Sequence, residues 1–462
     1  MAFDARAQQS PIAAETSRGR AAVAAAFFAQ GFAFAVVITH LGAFKDRWEL
    51  DDLAITVIMF VVAVLAGAGS ALAATLAARF GSATALRLGL AGVVIGVTLA
   101  ALAPVFPVLC AGLAVYGIAL GCVDATSNMQ AVACEALQGR SILTSFHGAW
   151  SAGGILGAVE TSLTATAEWP LAASLAVAAL IPAAAVAAPF LPAAAPTASA
   201  AAPTVSAAAP TASAAAPTTS PEPAPAPTTS LEEASAPVTT QDPPRAEAAR
   251  KDRKSGKNPP AAPAIPWRTM TVLGAAIVLF YVADSATQSW STIYLHDVLL
   301  ASAGLAPLGY AAYQGTSLLS RLAGDHLVRR LGSAPVVRIA ALIGAAGLAL
   351  AVAAPAPWLA ITGFAILGIG IAVVAPLTFA TAGRLATVDP EGRPVTDPAR
   401  RRAAADAIIA RVNQFNYLGF VLGGVLTGLV ASGSDMRIGF IVPLVGIAAI
   451  LPLARAFDSA RQ

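Results

Sequence analysis

Charge is scarce in this chain of 462 residues: Asp, Glu, Lys and Arg together make up 11% of it. Hydrophobic residues make up 57% and the mean hydropathy is +0.72, which excludes a water-soluble domain of this length and places the polypeptide in a bilayer. Cysteine is nearly absent. Cys110, Cys122 and Cys134 fall on one predicted helix, twelve positions apart, so successive side chains turn by about 120° and cannot pair with one another. There is no Cys/His ligand spacing, no Gly-rich Walker loop and no HExxH, which speaks against bound zinc, ATP-driven transport and metallopeptidase chemistry. No cofactor, metal or nucleic-acid partner is expected, and no nucleophile and base stand at matched depth to suggest an enzyme.

What is present is a duplication. RFGSATALR at Arg79–Arg87 returns as RLGSAPVVR at Arg330–Arg338, and GIALG at Gly117 returns as GIGIA at Gly368 in the same register. Two related membrane halves suggest a transporter. A spanning helix needs roughly 20 mostly apolar residues. On that basis twelve spans are expected near 20–44, 52–78, 85–104, 107–133, 143–165, 170–191, 268–295, 304–327, 334–354, 357–384, 405–432 and 437–456. The fold class is therefore an all-α polytopic membrane protein, with twelve transmembrane helices in two pseudo-symmetric six-helix bundles. Arg18 and Arg20 precede an apolar run too long for a signal sequence and without a clear cleavage site, so that run is read as the first span.

Lysine and arginine set the expected orientation. With the N-terminus in the cytoplasm, the outward loops hold only Lys45, Arg47 and Arg437 of the 28 basic residues. The expected organisation is a cytoplasmic tail at 1–19, a six-helix bundle at 20–192, a linker at 193–266, a second bundle at 267–456 and a cytoplasmic tail at 457–462. The linker opens with Pro196, Pro203, Pro210 and Pro217 in an Ala/Thr/Ser background and should be extended and disordered. It then turns basic, with Arg245, Arg250, Lys251, Arg253, Lys254 and Lys257 leading to Trp267 and Arg268. A solvated tether that enforces topology is one reading of this stretch, and attraction to anionic headgroups or a regulatory switch is the other.

Ionisable groups at membrane depth cost at least about 2–3 kcal/mol, so they face a bundle interior or a watery cavity. Asp124 in the fourth span has Asn128 one turn on, and Asp284 in the seventh has Gln288 one turn on. A carboxylate with a neighbouring amide suits proton-coupled transport of a polar solute, the acid alternating between protonated and charged while the amide bonds substrate. The competing reading is interior pairing that holds helices together. Gln30 in the first span is a candidate substrate ligand or an interhelix bond. Trp290 and Tyr294 stack on a ring or anchor at the interface. His147 is a proton relay or a cross-helix bond. Gly148, Gly153, Gly154 and Gly157, and Gly419, Gly423, Gly424 and Gly428, should form close packing faces. The loop TVDPEGRPVTDPARRR is cytoplasmic, with Arg400, Arg401 and Arg402 at the membrane. Asn413, Gln414 and Asn416 beyond it line the inner vestibule or serve as caps.

Six plus six helices, a long central linker and basic loops repeated after the second and eighth spans resemble the major facilitator superfamily, over both halves but not the linker or tails. GCVDATSNMQAVACE followed by HGAWSAGGILGA, and ADSATQSW leading to YAAYQGTSLLSR, resemble the branch that includes YbjJ and fucose permease. The resemblance implies a cavity walled by spans 1, 4, 7 and 10 that opens alternately to either side. It implies proton coupling at Asp124 and Asp284, and substrate contacts from Gln30, Asn128, Gln288 and Trp290. Gating falls to Arg321, Asp325, Arg329, Arg330 and Arg79, with Arg321 and Asp325 paired one turn apart. The chain departs from the family pattern where Ala78 and Arg329 replace an acid before the basic pair, which argues against a standard charge relay there. The fifth span also lacks the Gly-Pro signature of drug antiporters.

The function so implied is secondary transport of a small polar organic solute, sugar-like among the candidates, by a monomer in the cytoplasmic membrane with both termini inside. Its partners are that solute, protons and the lipid bilayer. Export of a drug, antibiotic or metabolite is the alternative within the class, and a non-transporting receptor or scaffold is the alternative outside it.

Overall fold

In the computed structural model the described residues are 4–138, 142–191, 267–385, 396 and 398–458. The expected linker at 193–266 and the loop before Arg400 lie almost wholly outside them. The described residues belong to one compact unit. They form helices and no strand: α1 Asp4–Thr39, α2 Leu41–Trp48, α3 Asp52–Phe80, α4 Ser82–Ala101, α5 Phe106–Gln138, α6 Leu143–Thr166 and α7 Leu171–Val186 in the first half. The second half contains α8 Trp267–Ile293, α9 Leu308–Leu331, α10 Ser333–Ala353, α11 Pro357–Ile371, α12 Val374–Leu385, α13 Pro398–Ser432, α14 Met436–Gly439 and α15 Ile441–Leu453. In order, the twelve expected spans correspond to α1, α3, α4, α5, α6, α7, α8, α9, α10, α11 with α12, α13, and α14 with α15.

Packing repeats the duplication. In the first half α1 lies on α6, α4 on α5 and α3 on α5; in the second α8 lies on α13, α10 on α11 and α9 on α11. Between the halves α6 meets α9 and α3 meets α13, the same exchange seen from either side. Glycine permits close approach in corresponding places. A Cβ on Gly153 would sit 2.1 Å from the Phe28 carbonyl oxygen, and one on Gly423 would sit 2.4 Å from that of Val282. Gly148, expected on the same face, meets nothing within 4 Å and takes no part.

The repeated phrase has a structural reason. Gly81 (φ 82°) and Gly332 (φ 89°) both take a left-handed turn between helices, which a side chain would strain. The serine that follows each opens the next helix and is tied to a distant one. Gln130 Nε2 donates to Ser82 Oγ at 2.8 Å, and Arg384 Nη2 donates to Ser333 Oγ at 3.4 Å.

Eight stretches among the described residues are long and apolar enough to cross a membrane by composition alone, and Leu171–Val186 and Leu418–Ser432 are shorter apolar helices. The weaker signals of α6 and α9 come from polar side chains turned inward, including Glu160, Tyr310, Tyr313, Gln314 and Arg321. Three spans expected to be continuous are broken. A proline removes one helical hydrogen bond and clashes with the carbonyl four residues back. Pro376 therefore breaks the tenth span at Ala372–Val373, and Pro443 breaks the twelfth at Gly439–Phe440. The first span turns at His40, where Thr39 Oγ1 and His40 Nδ1 bond the Ala35 and Val36 carbonyls. At its other end α1 is helical from Asp4, through the segment expected as a tail.

Helix ends away from the termini form one end of the molecule, termed distal. Arg47 Nη2 there donates to the Ala103 carbonyl at 3.0 Å, just past α4. Arg437 Nη1 donates to the carbonyls of Val352 and Ala354 at 2.5 and 3.0 Å, at the end of α10. Cations at carboxyl ends of helices satisfy orphan carbonyls and oppose the dipole.

Candidate functional site

The two acids occupy opposite sides of the interior and are held differently. Asp124 on α5 is half-buried, and its Oδ1 accepts from Gln30 Nε2 on α1 at 3.4 Å. Its expected partner is engaged elsewhere, because Asn128 Nδ2 donates at 2.9 Å to the backbone carbonyl of Asp124, within its own helix. Asp284 on α8 is 5% exposed. Its Oδ2 accepts from Gln288 Nε2 at 2.7 Å, the bond expected from one-turn spacing, and its Oδ1 accepts from Tyr313 Oη on α9 at 2.5 Å. Nothing in the spacing of the sequence singles out Tyr313.

On the helices that carry these residues, five buried polar atoms lack a well-formed hydrogen bond: Gln30 Oε1, Gln288 Oε1, Tyr116 Oη, Tyr310 Oη and Gln314 Nε2, the last two being close neighbours that interact with each other. Each belongs to a residue that is more than nine-tenths buried. Tyr310 lies within electrostatic reach of Asp284 in its own half and of Tyr116 in the other. A Cβ on Gly154 of α6 would come within 3.2 Å of Tyr310 Oη and 3.6 Å of Gln314 Nε2. An enclosed polar atom left unbonded costs about 1–3 kcal/mol. Gln30 and Gln288 each hold an acid through the amide nitrogen and leave the amide oxygen unbonded.

The aromatic candidates are placed elsewhere. Trp290 is fully enclosed, its Nε1 donates to the Gly424 carbonyl at 2.8 Å, and a Cβ on Gly428 would lie 2.3 Å from its ring. It clamps α8 to α13 and its indole N–H is already bonded in this conformation. Tyr294 is likewise enclosed, its Oη bonding the Ala351 carbonyl at 2.8 Å with Arg437 over its ring. His147 is exposed at the edge, with its ring against Phe27.

Arg321 is half-buried and acts electrostatically on both Asp284 and His147. The Asp325 side chain lies outside the described residues, so the expected Arg321–Asp325 pair does too, as do the side chains of Asn413 and Gln414. Arg79, Arg329 and Arg330 are exposed at helix ends. Asn416 is half-buried on α13.

The halves are tied instead at the distal end. Lys45 Nζ donates to Asp52 Oδ1 at 2.7 Å and to Asp297 Oδ2, which joins α2 of the first half to the π-helical turn Tyr294–Val298 that ends α8. His296 Nδ1 stands 2.9 Å from the other oxygen of Asp297. Ser162 Oγ donates to the Gly304 carbonyl at 2.5 Å, and a Cβ on Gly304 would meet Thr166 Oγ1 at 2.0 Å. These contacts close the distal end.

Comparisons with known proteins follow the same lines. The family model described as Major Facilitator Superfamily matches residues 21–405. An uncharacterized transporter, y4wD, of Sinorhizobium fredii is 24% identical over 93% of this chain and 95% of its own. An uncharacterized MFS-type transporter of Yersinia pestis is 24% identical over 90% and 89%. Among solved structures, the nucleoside transporter NupG superposes with a TM-score of 0.64 at 15% identity, covering 96% of this chain and 99% of that one in its D323A form. A D-xylose-proton symporter superposes at 0.58 and 15% identity, covering 94% and 95%. The chain belongs to the major facilitator superfamily and is a membrane-embedded secondary transporter with that fold.

Proposed function

We propose that this carrier moves a small, polar, uncharged organic solute of sugar-like character, coupled to protons, as a monomer in the cytoplasmic membrane. Both termini face the cytoplasm in this reading, so the closed distal end faces outward. The observation that supports it is the set of five buried polar atoms without a well-formed hydrogen bond on α1, α5, α8 and α9, the helices that carry Gln30, Asp124, Asp284 and Tyr313. Two amide oxygens accept, one amide nitrogen donates and two phenols do either, a set that matches hydroxyl groups. Two carboxyls beside them disfavour an organic anion, and the charge of Arg321, farther along α9, acts on Asp284. The five atoms come from α1, α5, α8 and α9, so a solute bonded to them draws both halves together.

Coupling falls to the carboxyls. A proton on Asp124 turns an acceptor of the Gln30 amide into a donor, and so changes what the adjoining amide oxygen offers the solute. The test is pH-gradient-driven flux in proteoliposomes with pooled sugars and other neutral metabolites, wild type beside Asp124→Asn and Gln314→Leu. Flux that requires the gradient and Asp124, and is lost in Gln314→Leu, is expected. Flux indifferent to both substitutions overturns the reading.

A further inference from the structure

A third acid at membrane depth takes no part in the central site. Glu160 lies on α6, about one and a half turns from its distal end at Thr166. Its Oε1 accepts from Ser174 Oγ of α7 at 2.8 Å, whereas Oε2 is enclosed and has no partner. Thr164 Oγ1 donates to Ser174 Oγ at 2.9 Å. On the side of α1, Thr161 Oγ1 stands 2.9 Å from Thr39 Oγ1 and 3.4 Å from Nδ1 of the buried His40, and the same hydroxyl acts on the Glu160 carboxyl. His40 Nδ1 is 2.8 Å from the Val36 carbonyl. A carbonyl only accepts, so Nδ1 carries a hydrogen and Nε2 is the nitrogen left to gain or lose a proton.

These facts point to a proton at Glu160. An ionised carboxylate with an enclosed, unpaired oxygen is untenable in this setting, whereas the neutral acid carries no charge to be solvated. The elements around it supply no compensating cation among the described hydrogen bonds. From α1 come Thr39 and the neutral-capable His40, from α7 the Ser174 hydroxyl, and from α6 itself only Thr161 and Thr164. The location ties this acid to the closure. Ser162, two residues on and so turned about 200° around α6, makes the bond to Gly304 in the other half. One helix thus carries the acid on one face and the distal seal on the other.

We propose that Glu160 is a second proton-binding site of this carrier, separate from Asp124 and Asp284, protonated while the distal end is closed and exchanging its proton with distal solvent when that end opens. When the Ser162–Gly304 contact parts and α6 moves, water reaches the carboxyl. The O–H bond of the Glu160 carboxyl then breaks, its proton passes to that water, and the carboxylate left behind is solvated, with no other covalent bond changing. The inference rests on the chain being a carrier whose halves part distally. It does not depend on the solute or on Asp124.

The test reads closure, not flux, so its failure is distinguishable from failure of the central site. Full-length protein in nanodiscs carries Ser162→Cys with Cys110, Cys122 and Cys134 replaced by Ala. His296→Gln is added because His296 is the other titratable imidazole at this end. Maleimide labelling is followed from about pH 5.5 to about pH 8.5 and divided by that of an exposed Ser302→Cys control, which removes the thiol's own ionisation. Normalised labelling should rise about tenfold across this range with Glu160 present and stay flat and low in Glu160→Gln. Glu160→Asp, with the acid drawn back from Ser174, supplies a second test through a displaced midpoint. A pH dependence that is identical in Glu160→Gln, or a midpoint unmoved in Glu160→Asp, overturns the assignment of the site.

Discussion

The two halves descend from one pattern yet hold their acids in different ways. In the first, Asp124 and its amide come from different helices, α5 and α1, across a 3.4 Å contact on a half-buried carboxyl. In the second, Asp284 and its amide share α8, and Tyr313 of α9 closes the other oxygen, with bonds of 2.7 and 2.5 Å on an enclosed carboxyl. The duplication offset of 251 residues, from Arg79 to Arg330, pairs Asp124 with Ala375 and Asp284 with Ala33, so neither acid has a counterpart. Helix packing kept the symmetry and the chemistry abandoned it. Under the proposed function this difference becomes a division of labour, the loosely held Asp124 exchanging the proton more readily than the tightly held Asp284.

The strongest test of that division is transport. Asp124→Asn should lower gradient-driven uptake on the order of 100-fold while leaving solute counterflow within a few-fold of wild type. Loss of both would make Asp124 a binding residue and erase the distinction. Next comes stability in detergent. Asp284→Asn places an amide donor against the Tyr313 hydroxyl or the Gln288 amide and should destabilise by about 2–3 kcal/mol, read as thermal unfolding, against about 1 kcal/mol or less for Asp124→Asn. Equal losses would show that the two acids are held alike.

Tyr313→Phe sharpens the comparison by leaving Asp284 with a single donor, as Asp124 has. It should destabilise by about 1 kcal/mol and make transport sensitive to Asp284→Asn in the way it is to Asp124→Asn. The smallest effect belongs to the distal tie between the halves. Lys45 and its partners are partly exposed, so Lys45→Met should weaken closure by about 0.5–1 kcal/mol, a two- to fivefold gain in maleimide labelling of the Ser162→Cys reporter. High salt should reproduce part of that gain in the parent and none in the variant.

Much of this architecture is legible in the chain. Helix order, the break into halves and the interior placement of Asp124, Asp284, Gln30 and Gln288 follow from apolar runs interrupted by rare polar groups. Contacts set by helix rotation are not legible. Asn128 has the same one-turn spacing as Gln288, but its shorter side chain bonds its own backbone and does not reach the carboxyl. Trp290 looks like a site residue because it follows Asp284, and only Gly424, far along the chain, shows that its indole N–H is occupied. Tyr313 and Gln314 hide in a helix whose polarity reads as a weak span. Glu160 carries the same signal as Asp124, an acid in an apolar run, and is as readable. The breaks at Ala372 and Gly439 are readable too, four residues before Pro376 and Pro443.

The three basic residues on the distal side each have a duty. Lys45 answers Asp52 and Asp297, Arg47 binds the Ala103 carbonyl, and Arg437 binds those of Val352 and Ala354. In the proposed orientation each of these cations crosses the bilayer during synthesis, and every such charge weakens the signal that tells the insertion machinery which way each hairpin faces. A carrier assembled from two inserted halves therefore tolerates few such charges, and here each one fastens a helix end or joins the halves. Neutralising Arg47 or Arg437 would make the chain easier to orient and harder to finish, setting fidelity of insertion against completion of the bundle.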